Sequence, residues 1–320
     1  MKYSGVGGQA VMEGIMMRNQ DKYAVAVRKP NKEIEVKVFD YKGPSKNKTI
    51  RDLPIIRGVL NFIDSLYLGM TTLLYSSSFF EDEEESKEEK EKKKALSEEE
   101  KKALIEKEKK EEKAMMGGTL VLSIVLAVAV FFMLPYFISS FFQRFIDSHW
   151  IIALLEGVIR LAIFIAYIAL ISFMPDIKRT FMYHGAEHKC INCIEHGLEL
   201  SVENVRKSSK QHKRCGTSFL LIVMLVSIIF FMFIRVESGI LKLVIRLLLI
   251  PVIAGVSYEF IRLAGRYDNW LVNILSVPGM WMQKLTTKEP DDEMIEVGIA
   301  SVEAVFDWKK WQEENLNDIS

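Results

Sequence analysis

Apolar and polar positions follow two different regimes along this chain. Four stretches, approximately 119–142, 150–174, 217–234 and 240–262, are apolar almost without interruption. A helix needs about 20 such residues to cross a hydrocarbon layer roughly 30 Å thick, so each reads as a span. Together they predict a mainly α-helical, polytopic membrane domain of about four transmembrane helices over 117–265. The third run is the shortest of the four. Ahead of it all, YAVAVRKP and EIEVKVFDY alternate with period two on either side of a Pro-Asn turn signal, which predicts a hairpin in a small N-terminal β element over 1–50. Within 51–80, Ile56, Val59, Leu60, Ile63, Leu66, Tyr67, Met70 and Leu74 recur at helical spacing with Arg57, Asn61 and Asp64 opposed. Such a helix either lies on a membrane surface or packs on the protein's own cytosolic part. The tail, 266–320, holds the interfacial string PGMWMQKL and then EPDDEMIEVGIASVEAVF, an amphipathic helix opened by acidic residues.

Charge adds orientation. Overall the chain balances 42 basic against 42 acidic residues, but 81–113 alone carries 15 acidic and 11 basic side chains. The stretch 81–116 therefore reads as a solvated helix or flexible linker, with Ser97 and Glu100 as a capping box. The connection 175–216 holds eight Lys and Arg residues, whereas the short ones at 143–149 and 235–239 hold only Arg144 and Arg235. By the positive-inside rule the long connection faces the cytosol, and four spans then put both termini there too. The start, MKYSGVGGQAVMEG, lacks the pattern of a cleaved signal peptide. The expected location is a bacterial cytoplasmic membrane, the expected partners are the lipid bilayer and other membrane proteins, and nothing suggests nucleic-acid binding.

Chemistry concentrates in that same connection. Four of the five histidines and all three cysteines lie between 184 and 215. Three cysteines argue against a disulfide framework and for metal or thiol chemistry. On a helix, His184 and His188 would share a face with Glu187 between them, and HGAEH fits the H-x-x-E-H pattern of inverted zinc hydrolases. His212 and Cys215 are further expected ligands, with Glu187 as base or as support for a histidine. A second reading uses Cys190-x-x-Cys193 and His212-x-x-Cys215 as a structural zinc staple, and a third takes the Cys190/Cys193 pair as a redox dithiol. His196 and Glu259 are additional ligand or supporting candidates, Glu259 because an intramembrane carboxylate is costly unless paired or functional. Arg262, one turn on, is its plain partner. Glu156, Arg160 and Arg246 suggest a structural ion-pair network inside the spans, or else a polar conduit.

The strings GGQAVMEGIMMR (7–18), YHGAEHKCINCIEHG (183–197), HKRCGTSF (212–219) and EPDDEMIEV (289–297) together resemble the YqhQ family of bacterial membrane proteins. The likeness spans nearly the whole chain apart from the charged run. It implies a predicted metal-dependent enzyme whose matching positions here are His184, Glu187, His188, Cys193, His212 and Cys215, but it names no reaction. The family pattern often has Thr where this chain has Cys190, which counts against both dithiol readings. The N-terminal glycines could bring backbone amides to a ligand, making Gln9, Glu13 and Arg18 pocket residues; the same string also reads as a strand-turn segment with core methionines.

The leading expectation is a membrane-embedded enzyme using zinc or another divalent metal, hydrolytic, at the cytosolic face. A non-enzymatic scaffold or assembly factor with a structural zinc is the alternative, and a small transporter the third.

Overall fold

The computed structural model describes residues 3–43, 53–80, 117–119, 121–213, 215–236, 238–266 and 270–316. The charged stretch 81–116 and its capping box lie outside them. The chain divides into two compact units, Met1–Phe79 with Ile165–Ser320, and Phe80–Phe164.

In the first unit, β1 (Gly7–Val11), β2 (Gly14–Asn19), β3 (Lys22–Arg28) and β4 (Ile34–Asp40) form one antiparallel sheet in sequential order. The expected hairpin is β3–β4, with Tyr23 opposite Phe39 and Val25 opposite Lys37. The Gly-rich string supplies two more strands: β1 and β2 turn at Glu13, whose φ is 48°, and Met16 and Met17 are buried. β3 is covered on both faces, which is why Tyr23 through Val27 are all buried.

One face meets α1 (Ile56–Ser77), where the Gln9 amide donates to Thr72 Oγ1 at 2.8 Å and the Met12 N–H to Ser76 Oγ at 3.1 Å. α1 reverses the usual amphipathic arrangement. Its buried positions are Gly58, Leu68, Thr72 and Ser76, while Ile63, Leu66, Met70 and Leu74 are exposed and Tyr67 keeps 72% of its surface.

The other face of the sheet carries α4 (Pro175–Glu195) and α9 (Asp292–Glu303), joined in one core by Ile15, Met17, Ala26, Tyr183, Ala186, Ile191, Met294 and Ile295. The connection 175–216 is therefore largely helical and, over its second half, buried: every residue from Gly185 to Glu195 is in the interior. α4 begins at Pro175, where a missing N–H costs nothing. α9 begins at the cap Asp291, whose Oδ1 accepts from the Met294 N–H at 2.9 Å, as its acidic opening predicts. Between these helices the chain passes so close to α4 that a Cβ on Gly185 would sit 2.0 Å from the Lys288 carbonyl oxygen. Gly185→Ala is expected to cost about 1–3 kcal/mol through overpacking against backbone. A fall of several degrees in the thermal midpoint of detergent-purified protein would show it; an unchanged midpoint would contradict this packing.

Among the described residues three helices are long and apolar enough to cross a membrane: α2 (Gly117–Phe142), α3 (His149–Ile171) and α7, whose apolar part is Gly239–Leu263 within Gly239–Arg266. The remaining predicted span, 217–234, is a 17-residue helix, α6 (Gly216–Met232), about 25 Å long. In the second unit α2 contains a π-helical segment, Ala129–Met133, and Arg160 of α3 donates from Nε to the Phe131 carbonyl there at 3.0 Å. The same guanidinium holds Glu156 at 2.7 Å, both side chains almost wholly buried. The short α5 (Val202–Lys207), α8 (Trp270–Thr286) and α10 (Trp308–Leu316) complete the first unit.

Candidate metal centre

The helical geometry of α4 sets the site. His184, Glu187 and His188 fall on one face, whereas Cys190 and Cys193 lie about 120° and 180° round from His184. The cap residue of α6, Cys215, completes the cluster: His184, His188 and Cys215 each offer a ligand atom within 4.8 Å of the others. His184 Nε2 is 3.2 Å from Cys215 Sγ. Ligand atoms at the corners of a tetrahedral zinc shell stand about 3.3–3.8 Å apart, so one ion could sit among these three with small adjustments.

Ring orientation supports that fit. His184 Nδ1 donates to the Thr286 carbonyl at 2.8 Å and His188 Nδ1 to the Lys210 carbonyl at 2.7 Å. A carbonyl only accepts, so each ring keeps Nδ1–H and turns Nε2 toward Cys215, the arrangement in which outer partners fix the tautomer of a metal-binding histidine. The Glu187 carboxylate borders the same point, with Oε2 3.9 Å from His184 Nε2 and 3.8 Å from His188 Nε2.

Electrostatics follow from this clustering. Burial opposes charge on all three donors, but the opposed thiolate and imidazolium outweigh it: His184 is raised to about 9, His188 is raised, and Cys215 falls well below an ordinary thiol. Without an ion, a proton shared on Nε2 satisfies the thiolate; a cation would replace that proton.

A cavity of about 120 Å³ adjoins the donors, lined by His184, Glu187, His188, His212, Cys215 and, from the N-terminal string, Gly7 and Gly8. Gly8 lets β1 pass close by, since a Cβ there would meet Glu187 Cγ at 2.9 Å and the Met16 carbonyl at 2.7 Å. The glycines thus reach the cavity as the sequence suggested, but the neighbouring polar residues do not. Gln9 points to Thr72, Glu13 pairs with Arg179 at 2.5 Å and accepts from the Tyr183 hydroxyl at 3.2 Å, and Arg18 lies 3.4 Å from Asp64.

His212 lines the cavity without joining the donors. Its Nε2 faces Glu195 at 3.4 Å, while its backbone is held on both sides by the Gln283 amide. Cys190 is fully buried against α9, where a Cβ on Gly298 would lie 2.8 Å from its Sγ. Cys193 lies 3.3 Å from the Glu199 carbonyl, and burial pushes both thiols up. His196 is exposed and bonds the Asn192 carbonyl at 2.7 Å. Glu259 pairs with Arg57 of α1, with 2.6 Å from Nε to Oε1, rather than with Arg262. The expected partners His212, Cys190, Cys193, His196 and Glu259 therefore all have other neighbours. What the sequence did not signal is the role of the Thr286 and Lys210 carbonyls, because any residue supplies a carbonyl.

The class so defined is a mainly helical chain with membrane-length apolar helices, a small antiparallel sheet and a buried His-His-Cys cluster. Residues 53–308 match the family model described as "Protein of unknown function (DUF1385)", and the chain belongs to that family. It is similar to "Uncharacterized protein YqhQ" of Bacillus subtilis (strain 168), 33% identical over 310 residues, which cover 97% of this chain and 94% of that protein. The resemblance to the YqhQ family thus holds. No solved structure matches the chain.

Proposed function

We propose that this protein is a membrane-embedded, metal-dependent hydrolase of a bacterial cytoplasmic membrane, with four spans, both termini in the cytosol and its centre at the cytosolic face. His184, His188 and Cys215 hold zinc or another divalent cation. The observation that carries this reading is the Glu187 carboxylate bordering the His184, His188 and Cys215 cluster, with a cavity adjoining all four side chains.

A divalent cation there supplies Lewis acidity, polarising a substrate carbonyl or phosphoryl oxygen and making water a stronger acid. Glu187 Oε2 takes the proton from the attacking water and returns it to the leaving group. Water is added across the scissile bond, its oxygen to the acyl or phosphoryl centre and its proton to the departing atom. Gly7 and Gly8 keep side chains out of the cavity, so the space beside Glu187 stays available. A volume near 120 Å³ takes a reacting group rather than a whole substrate. That suits a substrate whose remainder stays in the bilayer or on the surface.

The competing reading, a scaffold with a sealed structural zinc, has Glu187 as fourth ligand, which its nearly equal distances of 3.8 and 3.9 Å to the two imidazoles also allow. Glu187→Gln separates them. As a base, Glu187 is dispensable for holding metal, so the variant keeps full metal content by elemental analysis. The cobalt-substituted wild type should then show a thiolate charge-transfer band and a changed visible spectrum when acetohydroxamate is added. Loss of metal from Glu187→Gln, together with a cobalt spectrum indifferent to hydroxamate, would establish a closed shell and sink the hydrolase reading.

A further inference from the structure

A second cavity, of about 340 Å³, lies in the first unit away from the metal donors, between the sheet, α1 and the last turns of α7. Among the described residues its lining presents three guanidinium groups, from Arg18, Arg57 and Arg262, with Tyr41, Asn61 and Tyr258, and no carboxylate. Two of the cations are held in place from behind. Arg57 is gripped by Glu259, and Arg18 lies 4.6 Å over the Tyr41 ring with its tip 3.4 Å from Asp64. Asn61 donates to the Arg57 carbonyl at 2.7 Å and to the Tyr258 hydroxyl at 3.2 Å, tying α1 to α7 at the cavity wall. Among the described residues Arg262 makes no ion pair within 4 Å, and Asp64 and Glu259, the carboxylates beside Arg18 and Arg57, are not among the described lining residues.

Like charges brought together around a space repel unless an anion joins them. The planar forks of arginine match phosphate oxygens in pairs, and the Tyr258 hydroxyl, which accepts from Asn61, has its own proton to donate, whereas the Tyr41 hydroxyl donates to Asp64. Position narrows the source. Tyr258 and Arg262 fall at the end of the apolar part of α7, which closes at Leu263, and α1 contributes Arg57 and Asn61 from the side opposite its exposed stripe of Ile63, Leu66, Tyr67 and Met70. An apolar helix face and a helix end with Tyr and Arg mark the headgroup level of a bilayer. We propose that this cavity binds the phosphate of an anionic phospholipid headgroup. The proposal uses the membrane placement above and is independent of the metal chemistry.

The test uses the full chain incorporated into vesicles of phosphatidylcholine alone or mixed with phosphatidylglycerol, then extracted and examined by native mass spectrometry for retained lipid. Wild type is expected to keep phosphatidylglycerol in preference to phosphatidylcholine. Arg262→Gln leaves no carboxylate without its partner and should lower that retention about fivefold, with Arg262→Glu lowering it further. Flotation with both vesicle types and an unchanged thermal midpoint show that the variants are folded and inserted. Equal retention in wild type and Arg262→Glu overturns the proposal. Stabilisation by inorganic phosphate with no lipid retained overturns the lipid assignment in favour of a soluble phosphate. Failure of wild type to float with either vesicle would instead remove the membrane reading, and this proposal with it.

Discussion

Replacing Cys215 by Ser or His188 by Ala is expected to lower metal affinity on the order of a hundred- to a thousandfold, while His212→Ala, Cys193→Ser and His196→Ala retain metal. The first two remove donor atoms from the group that lies within 4.8 Å; the other three remove side chains held elsewhere. A structural zinc bound by four ligands gains about 10–16 kcal/mol at neutral pH, so each donor accounts for roughly a quarter of it, which is the basis of the expected loss. Competition with a chromophoric chelator measures the affinities, and elemental analysis the stoichiometry. Metal loss on His212→Ala with retention on Cys215→Ser would reverse the donor set.

Protons compete at the same atoms, and the sign is fixed by the cluster. With the His184 imidazolium raised to about 9 by its thiolate neighbour, the metal-free ring carries its extra proton at neutral pH, and the cation must displace it. Metal addition at pH 7 is therefore expected to release protons, and affinity to fall as the solution is acidified. Calorimetry in two buffers of different ionisation enthalpy reads the proton count. Buffer-independent heats would mean that the imidazoles are already neutral.

The histidine pair was legible because a spacing of four has one meaning on a helix, and α4 is helical from Pro175 to Glu195. The same rule, applied around the helix, sets Cys190 and Cys193 apart from the histidine face and about 60° from each other, so they do not share the side that His184 and His188 present to Cys215. His212 lines the cavity but lies outside the three-donor cluster, for the complementary reason. It precedes α6 in irregular backbone, where a spacing of three to Cys215 fixes no common side. The apolar runs were plain, and α3 and α7 have the expected length. The run at 217–234 ends as a 17-residue helix because Cys215 caps it at Gly216 and the backbone leaves the helix after Met232. The stripe of α1 left two placements open, the membrane surface or the protein's own cytosolic part, and only contacts show that Thr72 and Ser76 face the sheet while Leu66 and Tyr67 are exposed. The first two strands were harder still: glycines gave no period-two signal, although Met16 and Met17 pack as the strand-turn reading required.

Within the second unit, Arg160→Met with Glu156 retained is expected to destabilise by about 3–5 kcal/mol, while the double variant Glu156→Gln with Arg160→Met recovers most of that loss. Both charged groups are almost wholly buried in an apolar helix and held 2.7 Å apart. Removing the cation deprives the buried Glu156 carboxylate of its ion pair at 2.7 Å, which is worse than removing both charges. The variant also withdraws the Nε donor from the Phe131 carbonyl, in the π-helical segment of α2 where the backbone ladder is displaced. The double variant loses that bond as well, so the difference between single and double isolates the loss of the Glu156 ion pair. The folded fraction after heating, read by size-exclusion of fluorescently tagged protein in detergent, should rank wild type first, the double variant next and the single variant last. If Arg160→Met is as stable as wild type, Glu156 is reached by water along a polar path, and the conduit reading replaces the structural pair.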